Sequence, residues 1–251
     1  MNLSKAAWMR VAPFLVFMGG LALRGAAPEG DAWGFDSRWL YALNLVVGGL
    51  LAFWWRSYGE LARANWPAAR ELALSVAVGF AVFALWIQLD APWMQIGEAT
   101  AGFVPVAADG SLLWPLIAVR WLGAALLVPV MEELFWRSFL MRWLQQPVFE
   151  GLDPQRVGPR AVLMSTFVFM LAHPLWLAAI VAGLAYALLY RHTGRLWTAV
   201  LAHAVTNGAL GVGEWPTGSG NFGELTARVV RGVRRPLEAL KAATSAATAR
   251  A

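Results

Sequence analysis

The stretch LLWPLIAVRWLGAALLVPVMEELFWR, residues 112–137, decides the fold class. Its first nineteen residues carry one charge, Arg120, and are otherwise apolar or small. About 20 such residues in an α-helix span the ~30 Å hydrocarbon core of a bilayer. We therefore expect a membrane-spanning helix that ends in Glu132, Glu133 and Arg137, although charges inside a bilayer are costly and commonly serve a function.

The composition of the whole chain supports a membrane protein. Of 251 residues, 59% are hydrophobic and 14% are charged, whereas globular domains carry about 25% charged residues. Too few charges remain to cover a water-soluble surface, and the fifteen Trp residues lie mostly near the ends of apolar blocks, as in membrane interfaces. The sequence predicts an all-α, polytopic transmembrane helical bundle of about seven spans (six to eight), at 11–23, 39–54, 71–89, 113–141, 161–173, 175–190 and 196–212.

Three regions follow from the distribution of these blocks. Residues 1–110 are expected to form N-terminal membrane helices, residues 111–212 a helical core that contains Glu132, Glu133 and Arg137, and residues 213–251 a polar and basic tail. The first helix is more simply a retained signal anchor than a cleaved signal peptide. From Glu224 onward the tail has six Lys or Arg against two Glu. It is expected either to lie on anionic headgroups or to be solvated, and nucleic-acid binding is not expected.

The positions of Lys and Arg predict the orientation. Basic residues precede the first span and follow the second, fourth and sixth, whereas the segment 90–110 carries Asp90, Glu98 and Asp109 and no base. Because cytoplasmic loops are enriched in Lys and Arg, the N-terminus and the basic loops are expected in the cytoplasm.

The two adjacent glutamates are expected to differ. In an α-helix, Glu133 and Arg137 share a face and can form an ion pair, while Glu132 points about a quarter turn away. Glu132 is expected to have no partner at helical spacing. A poorly solvated carboxyl of this kind is suited to act as a general base near neutral pH.

Two further polar pairs lie within later spans. Phe169 and His173 are four residues apart, with Pro174 interrupting the helix, and His203 and Asn207 are also four apart. Counted from the nearest basic loop, Glu132, His173 and His203 lie about 15, 20 and 12 Å deep at 1.5 Å per residue. The three side chains are therefore expected to share one layer of the bundle.

Other interpretations of these residues remain open. Each histidine alone is more often a hydrogen-bonding contact between helices than a catalytic group. Zinc is a rival use of two histidines and a glutamate, but the chain has no His-Glu-x-x-His motif. A non-catalytic scaffold or immunity protein and, less favoured, a proton-coupled transporter are the alternative functions. His192 and Arg120 are not assigned to the site.

Three short motifs of this chain resemble, in the same order, the motifs of the CPBP family of intramembrane glutamic proteases. They are Glu132-Glu133-x-x-x-Arg137, Phe169-x-x-x-His173 and His203-x-x-x-Asn207. That family includes the type II CAAX prenyl endopeptidases and the bacterial Abi proteins. The resemblance covers about residues 112–211 and implies that the helical core 111–212 is the catalytic region. The Trp-rich first 110 residues resemble bacterial members associated with exosortase systems. Eukaryotic members typically carry another helix after the last motif, which is not evident here.

The resemblance implies a metal-independent endopeptidase without a cofactor. It implies that Glu132 activates water with the help of His173, and that His203 and Asn207 line an oxyanion hole. Glu133, Arg137 and Phe169 are expected to support the site. The implied substrate is a membrane-embedded or lipid-anchored polypeptide, and the implied location is the bacterial cytoplasmic membrane.

Overall fold

The computed structural model describes residues 3–27, 34–96, 106–107 and 109–213. This part of the chain is an all-α bundle, as predicted, and its helices follow the predicted order closely. The segment 97–105, with Glu98, and the tail from residue 214 onward lie outside the described residues. The seven helices described are α1 Lys5–Ala26, α2 Ser37–Phe53, α3 Ala69–Trp86, α4 Trp114–Gln145, α5 Pro159–Leu171, α6 Trp176–Thr193 and α7 Leu196–Gly213.

The helices differ in how far they can reach across a bilayer. Among the described residues, α1, α3 and α4 are both long and apolar enough to cross a membrane, and α2, α5 and α7 are shorter apolar helices. The 13-residue α5 rises only about 20 Å, because Pro174 follows closely and α6 begins at Trp176. The seven predicted helices are present, and α5 is as short as the predicted block 161–173, with both ends two residues earlier.

Helix α4 is 32 residues long and is not uniformly α-helical. Gly123–Leu127 and Leu134–Met141 are π-helical, and Val128–Glu133 between them is α-helical. Pro129 lacks a backbone N–H and cannot donate to the carbonyl four residues earlier, while the N–H of Val128 donates to the carbonyl of Gly123, five residues earlier. Glu132 and Glu133 lie at the end of the short α-helical segment that follows this π-helical turn.

Helices α3 and α7 approach closely at Gly79. A Cβ atom on Gly79 would lie 2.5 Å from the carbonyl oxygen of Ala202 and 2.7 Å from Cβ of Val205. The hydroxyl of Thr206 donates to the carbonyl of Gly79 at 2.8 Å. Small residues allow such contacts between membrane helices. This contact fixes the position of α7 along its axis relative to α3, and with it the position of His203.

A buried charge network ties α1 and α4 to the segment between α2 and α3. The carboxylate of Glu60 accepts hydrogen bonds from Arg10 at 2.8 and 2.9 Å, from Arg142 at 3.1 Å, and from the hydroxyl of Ser138. Arg10 precedes the first predicted span and Arg142 follows the fourth, so both are among the basic residues expected at the cytoplasmic boundary. Both are buried instead, because Glu60 neutralises their charge.

The network also determines the ionisation of Glu60. Burial alone would raise its pKa, but the charge of Arg10 and the hydrogen bonds from Ser138 and Arg10 lower the pKa below its usual value. A carboxylate with a lowered pKa in the folded state stabilises the fold above its unfolded-state pKa. That contribution is lost as the pH falls towards the folded-state pKa.

We predict that Gly79→Val lowers the melting temperature markedly, because backbone atoms of α7 would have to move and overpacking costs about 1–3 kcal/mol. Gly49→Val is the matched control, since a Cβ there meets nothing within 4 Å. Thermal unfolding of both variants in detergent tests the contact. Equal melting temperatures for the two variants would contradict it.

We also predict that Glu60→Gln destabilises the protein at neutral pH by about 3–5 kcal/mol, because two buried guanidinium groups lose their counter-charge. The difference in stability between wild type and this variant should shrink as the pH falls below 4.5, the ordinary value for this carboxyl. The free energy of unfolding of both proteins, measured across this pH range, tests whether the difference shrinks as predicted. Glu150→Gln, at an exposed carboxylate, should show neither effect.

Candidate active site

Glu133 is the most deeply buried charge of the site, with 0% of its surface exposed. Its Oε1 accepts hydrogen bonds from Arg137 at 3.1 Å and from Nδ1 of His203 at 2.8 Å. The ion pair predicted from the four-residue spacing is therefore present, and α7 supplies a second partner that the spacing does not reveal. The other oxygen, Oε2, is buried and has no hydrogen-bond partner among the described residues.

Arg137 joins three helices through its guanidinium group. Besides Glu133 on its own helix, it donates to the carbonyl of Gly183 on α6 at 3.1 Å. The guanidinium carbon lies 4.7 Å from the ring centre of Phe169 on α5 and 5.5 Å from that of Tyr186 on α6. These aromatic faces attract a cation where water is scarce, so Arg137 is held in one place.

Glu132 has different surroundings. It is 7% exposed, and its Oε2 accepts a hydrogen bond from the indole N–H of Trp136 at 3.2 Å. Trp136 in turn packs edge-on against Phe169 at 5.4 Å between ring centres. The prediction that Glu132 has no partner at helical spacing is therefore wrong, because the neutral indole of Trp136, four residues later, donates to it. Glu133, in contrast, has two partners that can carry positive charge.

His173 lies in the turn between α5 and α6, beyond the end of α5 at Leu171. Its Nδ1 is 2.8 Å from the carbonyl oxygen of Phe169. A carbonyl can only accept, so Nδ1 carries a proton and Nε2 is the nitrogen left for other partners. The ring packs on Phe169 and edge-on against Trp86, and it lies within electrostatic range of Glu132.

The backbone around His173 is fixed by a segment that follows α3. The N–H of Ile96 donates to the carbonyl of Pro174 at 2.8 Å. The ring of Trp93 packs against that of Trp176 at 6.3 Å, and the Trp176 indole donates to the carbonyl of Trp93 at 3.2 Å. This segment therefore covers the turn and holds His173 at the end of α5.

His203 and Asn207 lie on α7 but face different neighbours. His203 is stacked on the ring of Tyr186 at 5.0 Å and bonded to Glu133. Asn207 donates from Nδ2 to the carbonyl of Ala124 at 3.0 Å, within the first π-helical segment of α4. The structure thus brings His203 to Glu133 and places Asn207 one turn further along, on the wall of a cavity of about 310 Å³.

Sequence reasoning missed three polar side chains at this site. Trp136 follows Glu132 by four residues, a spacing that could have identified it. The hydroxyl of Tyr186 donates to Thr206 at 2.7 Å, and its ring stacks on the imidazole of His203. A polar aromatic residue in the middle of an apolar helix is the sequence feature that could have identified Tyr186. Asn44 on α2 lines the same cavity as Asn207, and nothing in the sequence beyond its polarity marks it.

The two residues left out of the site also have clear positions. His192 is exposed near the end of α6, and its carbonyl accepts a hydrogen bond from Gln155 at 3.0 Å. The guanidinium carbon of Arg120 lies 5.5 Å from the ring centre of Tyr41. The described part of the chain holds no group of three or more His, Asp or Glu side chains arranged to bind a metal ion.

Comparison with known proteins gives a family match for the second half of the bundle. Residues 113–209, which contain every predicted site residue, match the family model described as type II CAAX prenyl endopeptidase Rce1-like. Neither the curated proteins nor the solved structures gave a match. The matched family is one of CAAX-type proteases, which act on polypeptides in a membrane context, and the apolar helices agree with an integral membrane protein. Over residues 113–209 the chain is therefore similar to the Rce1-like family of type II CAAX prenyl endopeptidases.

Proposed function

We propose that this protein is an intramembrane endopeptidase that hydrolyses a peptide bond with water activated by Glu132, without a metal ion or another cofactor. The observation that carries the proposal is the difference between the two adjacent glutamates. Glu133 is held by Arg137 and His203, whereas Glu132 accepts a hydrogen bond from the neutral indole of Trp136. Glu132 is therefore the carboxylate that is not committed to a cationic partner.

Glu132 and His173 are proposed to act together on the attacking water. A general base must lie within hydrogen-bond reach of the proton that it removes. The carboxylate of Glu132 can accept that proton, and Nε2 of His173 can orient the water because its Nδ1 is engaged with the carbonyl of Phe169. Phe169 positions His173 through this carbonyl and through its ring, 4.3 Å from the imidazole.

His203 and Asn207 are proposed to stabilise the oxyanion of the tetrahedral intermediate. An ionised Glu133 can only accept, so Nδ1 of His203 carries a proton. In this proposal Nε2 of His203 and the second N–H of Asn207 face the oxyanion. Donors fixed in advance in a poorly solvated site are effective at stabilising developing charge.

The proposed substrate is a polypeptide that is embedded in the membrane or anchored to it by a lipid. The site lies within a bundle whose surface carries many exposed large apolar side chains, including Leu45, Phe53 and Leu126, as expected for lipid contact. We place the protein in the bacterial cytoplasmic membrane, with the basic ends of α4 and α6 in the cytoplasm. Nucleic acid has no part in this function.

Glu132→Gln is expected to lower proteolysis by about 10²–10⁴-fold, because the amide keeps the size of the side chain and loses the proton acceptor. Expression and melting temperature should stay near wild type. Comparison of new protein termini in membranes from cells expressing wild type or the variant measures the activity and identifies the accumulated substrate. A fully active variant would contradict the role of Glu132.

Glu133→Gln is the matched control, because it makes the same chemical change at the next residue. It leaves Arg137 without its counter-charge, which costs about 3–5 kcal/mol for a buried pair, so stability should fall first and activity as a consequence. Glu133→Gln with Arg137→Met should recover part of the melting temperature. Equal thermal destabilisation by the two single Gln variants would favour a structural role for the whole motif.

Chelators are expected to leave the activity unchanged, since the proposed mechanism uses a carboxylate base and hydrogen-bond donors. The measurement is cleavage by purified protein before and after treatment with chelator, with metal content determined on the same sample. Stoichiometric zinc, with activity lost on its removal and restored on its return, would overturn the metal-independent mechanism.

A further inference from the structure

The two oxygens of Glu132 have different surroundings, and Trp136 is the cause. The indole N–H of Trp136 donates to Oε2 at 3.2 Å, and Trp136 is itself 3% exposed. Oε1 has no hydrogen-bond partner among the described residues. An indole has one donor and no acceptor, so this N–H is fully used by the carboxylate. Oε2 is therefore held, and Oε1 is left for another partner.

The direction of the indole N–H is fixed by aromatic neighbours from two other helices. The ring of Trp136 packs edge-on against Phe14 on α1, with 5.0 Å between ring centres, and against Phe169 on α5 at 5.4 Å. All three rings are buried, and close packing of this kind leaves a large ring little room to turn. The indole thus points at Oε2 in one direction, which fixes the rotation of the carboxylate.

Phe169 connects this arrangement to His173. Its ring lies 4.3 Å from that of His173, and its carbonyl accepts the hydrogen bond from Nδ1 at 2.8 Å. The indole that holds Glu132 and the imidazole of His173 therefore pack against the same phenyl ring. This shared contact keeps the two side chains in a constant relation, which two groups that act on a single water require.

A neutral donor suits a carboxylate that has to take a proton. A cationic partner would stabilise the ionised form and make the carboxylate a weaker base. Glu133 has such a partner in Arg137 at 3.1 Å, whereas Glu132 forms no ion pair within the described part of the chain. The indole of Trp136 thus fixes the geometry of Glu132 without adding a positive charge.

We propose that Trp136 is a positioning residue, whose indole holds Oε2 of Glu132 so that Oε1 accepts the proton of the attacking water. This inference rests on the proposed function, because it assigns an atom to the base named there. As the water oxygen bonds to the carbonyl carbon of the peptide, its proton moves to Oε1, while Oε2 keeps the hydrogen bond from Trp136. Phe14 extends the support of the site to α1, outside the matched residues 113–209.

The kinetic test uses the purified full chain and a peptide spanning the cleavage site of the polypeptide that accumulates with Glu132→Gln. Trp136→Phe should lower kcat about 10–100-fold and leave KM within about twofold, because a misplaced carboxylate slows the chemical step and not binding. Trp197→Phe is the matched control, since its indole donates to the carbonyl of Leu61 at 3.1 Å, outside the site. Its kcat should equal that of wild type. An unchanged kcat in Trp136→Phe would overturn the proposal.

A second replacement separates the hydrogen bond from the packing of the ring. Benzothienylalanine in place of Trp136 keeps the bicyclic shape and has sulfur where the indole has its N–H. The packing against Phe14 and Phe169 is then preserved, and kcat should still fall about 10–100-fold. Wild-type kcat with this analogue would show that Trp136 acts by packing alone and would overturn the positioning role.

NMR spectra of protein labelled at the tryptophan nitrogens test the contact without turnover. The Trp136 indole proton, identified by its loss in Trp136→Phe, should shift upfield in Glu132→Gln, because a neutral amide accepts a weaker hydrogen bond than a carboxylate. Glu150→Gln should leave it in place, and an unshifted resonance in Glu132→Gln would overturn the contact. A fully active Glu132→Gln that shows the shift would overturn Glu132 as the base and leave the contact intact. An inactive Glu132→Gln with unchanged kcat in Trp136→Phe would overturn the positioning role alone.

Discussion

The position of every helix around the site depends on neutralising the buried carboxylate of Glu133. A charge in the middle of a bundle is tolerated when an opposite charge and hydrogen bonds surround it. Arg137 supplies the charge from the same helix, and His203 supplies a hydrogen bond from α7. Because Arg137 also reaches Gly183 and the faces of Phe169 and Tyr186, one carboxylate holds four helices in register.

Close helix contacts make this arrangement possible. The carbonyl of Gly183 is accessible to Arg137 because the residue has no side chain, and a Cβ there would lie 3.0 Å from a methyl carbon of Thr166. Gly79 allows α7 to pack against α3 in the same way. The two glycines therefore support the site by letting the helices pack closely. A shift of α6 or α7 by a few tenths of an ångström would lengthen the hydrogen bonds to Arg137 or Glu133.

Sequence reasoning succeeded where the relevant interaction is local. The apolar blocks predicted seven helices, and the four-residue spacing predicted the pair of Glu133 and Arg137. It could not predict that His203, seventy residues away, bonds to Glu133, because spacing within one helix says nothing about the rotation of another. The π-helical segments of α4 also leave no periodic signal, although Pro129 marks the place where regular hydrogen bonding must fail. The roles proposed for the site residues remain predictions, as do the regions assigned from the sequence.

The contacts of Glu133 also orient the imidazole of His203. Nδ1 of His203 bonds to Oε1 of Glu133 at 2.8 Å, and the ring is stacked on Tyr186 at 5.0 Å between ring centres. Because His203 is only 5% exposed, these two contacts fix the rotation of its ring and leave Nε2 as the nitrogen available to another partner. The carboxylate of Glu133, which is not proposed as a base, thus positions the histidine that is proposed to contact the oxyanion, and this links the structural glutamate to the proposed chemistry of its neighbour.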